Sequence, residues 1–224
     1  MSEDFRPLRT FGRIKSRPIK PRQAALMDTL LPAIRAPETP FDPRPLAAAG
    51  GQVWLEIGFG GGEHLAAQAE RRPGDLFIGA EPFLNGVASA LRHVDERGLR
   101  NVRLHPGDAR ELMGRLPDGS VDRIIILFPD PWPKARHHKR RLVQDDFLAE
   151  AARLLKPGGR LRFATDWEDY ANWTLRKLLD QPAFGWLADR ADDWRKPPAD
   201  HVTTRYEEKR LGDCEPIWLE FERL

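Results

Sequence analysis

A carboxylic acid fixed between prolines, with a run of cations directly behind it, is the arrangement in this chain best suited to chemistry. Asp130 stands in Phe128-Pro129-Asp130-Pro131-Trp132-Pro133-Lys134, and Ala135-Arg136-His137-His138-Lys139-Arg140-Arg141 follows. The prolines fix φ and remove backbone donors, so they stop a strand and leave the acid's backbone little freedom. Just upstream, Ile124-Ile125-Ile126-Leu127-Phe128 is an unbroken apolar run, the pattern of a strand buried on both faces of a parallel sheet. Asp130 is therefore expected at the carboxyl end of a strand, the edge where open α/β sheets bind ligands. Lys134, Arg136, Lys139, Arg140 and Arg141 then place five cations within eight residues. A rigid acid beside such a ramp points to chemistry on a polyanion, with nucleic acid the first candidate.

Acids recur at corresponding places elsewhere. Val53–Ile57 reads as a strand that contains Glu56 and runs into Gly58-Phe59-Gly60-Gly61-Gly62. Leu76–Ala80 reads as a second strand ending at Glu81, 102–104 as a third with Gly107-Asp108 just beyond, and 161–164 as a fifth ending at Thr165-Asp166. Together with Asp130, five carboxylates line one edge of one sheet, which describes a site. The glycine turn lets the backbone approach a ligand closely. A dinucleotide turn needs Gly-x-Gly-x-x-Gly, but the third residue after Gly60 is Glu63, a carboxylate where a pyrophosphate would sit. S-adenosylmethionine carries no phosphate and a positive sulfonium, and an acid-rich pocket suits it. Glu81 then accepts from the ribose hydroxyls and Asp108 from the adenine amino group, while Glu56 and Asp130 lie nearer the cationic methionine end. Either Glu81 or Asp108 alone is equally a strand-end or helix-capping acid; both together, after successive strands, favour the site.

The elements that must position these acids alternate in the α/β manner from Val53 onward. Glu63–Arg71 is expected to be helical; Phe83, Leu84, Val87, Leu91 and Val94 mark one apolar helix face; a short helix falls near 109–116. Phe147, Leu148, Ala151, Leu154 and Leu155 form an amphipathic helix stopped by Lys156-Pro157-Gly158-Gly159, and 217–222 makes a final strand. Residues 1–45 read as a basic, proline-rich and partly flexible arm, with one short helix around 23–31, and 46–224 as a single catalytic domain. Arg6, Arg9, Arg13, Lys15, Arg17, Lys20 and Arg22 face only Glu3 and Asp4 in the arm. The net charge of +2 is too small to argue for a polyanion; the clustering is what does so. Cys214 is the only cysteine, which excludes an intrachain disulfide and a Cys-rich zinc site. No apolar run reaches the roughly 18 residues that span a bilayer, and no signal-peptide core is seen, so a cytoplasmic protein without a membrane partner is expected. His137 and His138, adjacent and without obvious Cys or His partners, point to no metal. Trp54 and Trp218 are core candidates, and Trp132 is placed to border an acceptor pocket.

These motifs closely resemble the signature of the bacterial tRNA (guanine-N7-)-methyltransferases over nearly the whole chain. The resemblance rests on the glycine turn, the Phe128 to Lys134 stretch, the Arg136 to Arg141 run, Ala164-Thr165-Asp166 and Thr204-Arg205-Tyr206-Glu207. It implies a Rossmann-like class I methyltransferase fold: a mostly parallel seven-stranded sheet, helices on both faces, and an antiparallel C-terminal strand. It implies methyl transfer from S-adenosylmethionine to N7 of a guanine in the tRNA variable loop, forming 7-methylguanosine, with no obligate protein partner evident. By resemblance Asp130 is the catalytic acid, and Glu56, Gly58, Gly60, Glu81, Asp108 and Asp130 contact the cofactor. Lys134, Asp166, Thr204, Arg205, Tyr206 and Glu207 contact the substrate, and Arg136, His137, His138, Lys139, Arg140 and Arg141 the RNA. Ala135 departs from the pattern, where a further basic residue is common, and Arg205-Tyr206 varies the usual Lys-Phe pair conservatively.

Other readings compete. A nicotinamide-dependent oxidoreductase lacks its third glycine here. A nonenzymatic RNA-binding protein on a methyltransferase scaffold needs the basic patches but not the full set of strand-end acids. A DNA amino-methyltransferase pairs Asn or Asp with Pro-Pro and an aromatic, close to Asp130-Pro131-Trp132 but not the same.

Overall fold

The computed structural model describes residues 18–224. Two short helices, α1 (Pro21–Thr29) and α2 (Leu31–Ile34), precede an alternating series: β1 (Val53–Ile57), α3 (Glu63–Arg71), β2 (Leu76–Ala80), α4 (Leu84–Arg97), β3 (Val102–His105), α5 (Ala109–Met113) and β4 (Val121–Leu127). Then follow α6 (Asp145–Leu154), β5 (Leu155–Thr165), α7 (Glu168–Leu179), β6 (Phe184–Trp186), α8 (Asp192–Arg195) and β7 (Ile217–Arg223). The seven strands form one sheet in the order β3-β2-β1-β4-β5-β7-β6. The first five run parallel, while β7 pairs antiparallel with both β5 and β6. The strand order reverses between β1 and β4, and ligands bind such sheets in the crevice at that switch point.

Side chains along a strand alternate between faces, and both faces here are covered. Leu55, Ile57, Ile124, Ile126, Leu161 and Phe163 enter one core, closed by Leu112, Met113, Phe147, Leu148, Ala151, Tyr170 and Leu178 from α5, α6 and α7. Trp54, Phe77, Ile125 and Leu127 enter the other, closed by Leu65, Ala69, Val87, Leu91 and Val94 from α3 and α4. The unbroken apolar runs follow from this double burial. Glu56 falls on the α3 side of β1, next to Trp54 in the alternation.

Part of the segment read as an arm packs against the sheet. Leu31, Ile34 and Ala36 are buried, and the Ala36 N–H donates to the Leu104 carbonyl at 2.9 Å. The physical reason is the outer side of α4, which α1 and the residue after it cover with Leu26, Met27 and Leu30 while Arg22 pairs with Asp95 and Glu96. Arg6, Arg9, Arg13, Lys15 and Arg17 lie outside the described residues. A second departure is at Lys156-Pro157-Gly158-Gly159. These residues belong to β5 but bulge from the ladder: Val121 pairs with Leu155, and the next pair is Arg123 with Arg160. The strand β6, with only three residues, has no periodic signature. No helix among the described residues is long and apolar enough to cross a membrane.

Candidate active site

One wall of the site starts at the end of β1. Gly58, Gly60 and Gly62 have φ of 72°, 53° and 80°, a region that glycine enters without strain. A Cβ added at Gly58 or Gly60 would meet nothing within 4 Å, so the turn faces open space, whereas one at Gly62 would lie 2.5 Å from the Ala90 Cβ. The Glu81 carboxylate ties this turn to the start of α4: Oε2 accepts the Gly60 N–H at 2.8 Å and Oε1 the Phe83 N–H at 2.9 Å. Two of about four acceptor positions are thereby used, leaving two for a diol. Burial pushes the Glu81 carboxyl above its ordinary value, and the two N–H donors counter it only in part.

Asp108 caps α5, its Oδ1 accepting the Arg110 N–H at 2.9 Å, and the Arg110 guanidinium closes on both oxygens at 3.0 and 2.6 Å. Burial opposes the charge here too, yet the Arg110 bonds prevail and hold the carboxyl below the usual range. The capping reading of Asp108 is thus realised, and the residue lines the cavity. Glu56 is buried, with Oε2 2.7 Å from His64 Nδ1. A wall of carboxylates on an open glycine turn fits a cationic sulfonium and an α-ammonium, and opposes a pyrophosphate.

On the opposite wall the strap after β4 is strained. Phe128 and Trp132 have φ of 51° and 45°, the left-handed region that costs a bulky residue on the order of 1–3 kcal/mol. Packing holds both: Phe128 stacks on Tyr206 at 5.4 Å and meets Trp218 edge-on at 5.9 Å, while Trp132 lies under the Arg140 guanidinium at 5.0 Å. The bracketed Asp130 projects into the cavity, and its partial enclosure by protein pushes the carboxyl above its ordinary value.

A single cavity of about 950 Å³ gathers Glu56, Gly58, Gly60, Glu81, Asp108 and Asp130 from the strand ends. Trp132, Lys139, Arg140, Thr204, Arg205 and Tyr206 line it as well. Lys134 and Arg136 are exposed outside this lining, and His137 sits edge-on to Trp132 at 6.0 Å. Asp166 is buried behind Tyr206, whose hydroxyl donates to its Oδ1 at 3.3 Å. Glu207 faces away from the cavity, accepting the Thr204 N–H at 2.7 Å.

Arg141, expected to contact RNA, lines the cavity but is largely enclosed by the fold. Arg141 is 2% exposed, its Nε donates to the Pro131 carbonyl at 2.9 Å, its Nη2 pairs with Asp169, and it lies over Tyr170 and Trp173. It pins the strap to α7, because the chain turns inward after Arg140 to deliver Leu142 and Val143 to the core. His138 likewise turns inward, its ring edge-on to Trp173 at 5.5 Å. No group of three potential metal ligands occurs among the described residues. His64, Gln68 and His201, which join the site from below, went unnoticed in the sequence; the one local signal was the apolar face of α3, on which His64 is buried.

Residues 51–219 match a family model described as "Putative methyltransferase". A tRNA (guanine-N(7)-)-methyltransferase of Caulobacter sp. (strain K31) is 65% identical over 218 residues, covering 97% of this chain and 96% of the relative. One of Hyphomonas neptunium is 53% identical over 216 residues, covering 96% and 99%. Among solved structures, TrmN from Thermus thermophilus shares the fold at a TM-score of 0.55 and 24% identity, over 90% of this chain and 48% of that one.

Proposed function

Because the chain belongs to the tRNA (guanine-N(7)-)-methyltransferase family, we propose that the cavity takes S-adenosylmethionine on its Glu56, Glu81 and Asp108 side and a tRNA variable-loop guanine beside Asp130. The protein is a methyltransferase acting on guanine N7 of tRNA. The observation that carries the assignment of the two sides is that one cavity joins the carboxylate wall of the glycine turn to Asp130, Trp132 and the cations Lys139 and Arg140.

S-adenosylmethionine, when bound, supplies an electrophilic methyl carbon. Guanine N7 has an in-plane lone pair and no proton to lose, so no side chain need act as a general base. The protein's task is to orient and to exclude water, and alignment of this kind lowers a barrier by roughly 7–11 kcal/mol. Glu81 accepts from the ribose hydroxyls with its free acceptor positions, and Asp108 from the adenine amino group. Trp132 and Tyr206 offer flat faces for the purine. Methylation leaves the purine cationic, and Asp130 stands where a carboxylate stabilises that developing charge. Lys139 and Arg140 hold phosphates at the rim, with Lys134 and Arg136 extending the track outward. Asp166 acts from behind, through Tyr206, and Glu207 through the backbone of Thr204. A tRNA substrate places the work in the cytoplasm.

The test is incubation of the purified protein with labelled S-adenosylmethionine and unmodified tRNA transcript, followed by N7-specific chain scission. Label at one variable-loop guanine, lost in a folded Asp130→Ala variant that still binds the donor, is the expected result. Tight tRNA binding without transfer, under conditions where the donor binds, would overturn it in favour of an RNA-binding scaffold.

A further inference from the structure

Two histidines with no role in the transfer step form a buried column between the two sides of the cavity. His64 and Glu56 have side chains only 2% and 6% exposed, joined at 2.7 Å. The His64 ring stacks on His201 at 5.8 Å and 27°, and His201 packs edge-on to Trp218 at 4.3 Å. His201 Nε2 lies 2.9 and 3.1 Å from the two oxygens of Glu207, and Glu207 Oε2 accepts the Thr204 N–H at 2.7 Å. The column therefore starts at an acid of the donor wall and ends on the loop that brings Thr204, Arg205 and Tyr206 to the cavity.

At the His64 end of the column the partners set the hydrogen-bond directions. Gln68 Oε1 accepts from Arg72, and Gln68 Nε2 donates to the Asp200 carbonyl at 2.5 Å, which fixes the amide orientation. His64 Nε2, 3.2 Å from that amide nitrogen, must then accept, so the proton sits on Nδ1 and is donated to Glu56. The Asp200 carboxylate is held in turn by Arg162 at 2.9 Å, so the root of the loop and the seat of Glu56 share one packed unit.

We propose that His64 and His201 are positioning residues that couple the donor wall to the acceptor loop, so that seating Glu56 and docking residues 204–206 are one packing event. Close-packed interiors switch between arrangements more readily than they deform, so displacing either ring releases both ends. This rests on the proposed reading of the cavity, and reciprocity follows: whatever factor the donor adds to loop docking, the docked loop adds to donor affinity.

The experiment uses the full-length protein and S-adenosylhomocysteine as the probe. Trypsin cleavage is quantified by mass spectrometry at Arg205 and Lys209, exposed on the loop, with Arg195, exposed at the end of α8, as the internal reference. His64→Gln keeps a donor for Glu56 and His201→Gln a donor for Glu207, but both lose the ring contact. In the wild type the probe slows loop cleavage at least about fivefold, the low end of typical couplings. In each variant that protection falls below roughly twofold, while calorimetric affinity for the probe drops by about the coupling factor. Without any probe, His64→Gln, a change on α3, speeds cleavage at Arg205 and Lys209 but not at Arg195. Loop protection and ligand-free cleavage equal to wild type in both variants overturn the proposal, as does acceleration equal at loop and reference sites. Failure of the wild type to bind the probe counts against the donor assignment instead, and the ligand-free comparison still decides the column.

Discussion

On the proposed donor side, Glu81 and Asp108 lean on main-chain N–H groups of neighbouring turns, and the left-handed Gly58 and Gly60 leave the first turn open. On the proposed acceptor side, Asp130 accepts no main-chain N–H among the described residues; it is held between two strained residues whose rings are packed by Tyr206, Trp218 and Arg140. The donor side is thus built by parallel strands and the backbone, and the acceptor side by side chains brought from distant segments. The difference fits the ligands. A small cationic donor needs a fixed cradle of acids, while an RNA needs an exposed cationic approach ending at one rigid acid.

Breaking the acceptor side at its acid should have the largest effect. Asp130→Ala is expected to lower kcat by roughly 10²–10³ with donor affinity little changed, as judged by single-turnover transfer beside calorimetry. On the donor side, Gly86→Ala places a Cβ 2.3 Å from the Gly60 carbonyl and 3.3 Å from Glu81 Cγ. Overpacking of that kind costs about 1–3 kcal/mol, so donor affinity should weaken roughly tenfold to a hundredfold; unchanged affinity would mean the cradle yields.

Arg141→Ala should act on the fold, lowering unfolding free energy by about 1.5–3 kcal/mol in urea titrations. Its salt slope for tRNA binding should remain that of the wild type. Lowering pH separates the two sides further. Burial raises Glu81 above 4.5 and Asp130 above 3.8, so each takes up its proton earlier than an ordinary carboxyl as pH falls. Donor affinity should therefore decline already above the ordinary carboxylate range, and a Glu81→Gln variant should show less of that decline. Folding stability has the opposite sign for these groups: their contribution is fullest below the unfolded pKa and is lost as pH rises through the raised one. The smallest effect is expected from Lys139→Ala, a reduction of about 1 in the log–log salt slope of tRNA binding with donor affinity untouched.

Much of the donor side was legible because its signals are local. The bounds expected for β1, β2 and α3 coincide with those found, since an apolar run, a glycine turn and an amphipathic repeat each declare themselves within a few residues. The strap was legible as a rigid acid for the same reason. The cationic run was harder to read, because a charge run looks alike whether it faces water or the core: Lys139, Arg140 and Arg141 all line the cavity, but of the three Arg141 alone is buried, tied to Asp169, 28 positions away.

The sequence by itself determined the alternation of strands and helices, the strand-end acids and the proline-flanked Asp130, because backbone hydrogen bonding and side-chain periodicity act over short spans. Only the tertiary structure decided that Asp166 and Glu207 stand behind the cavity and that His64 meets His201. It likewise decided that Gln68 reaches Asp200 across 132 positions. Those contacts depend on which faces the sheet order brings together, and no local spacing encodes that order.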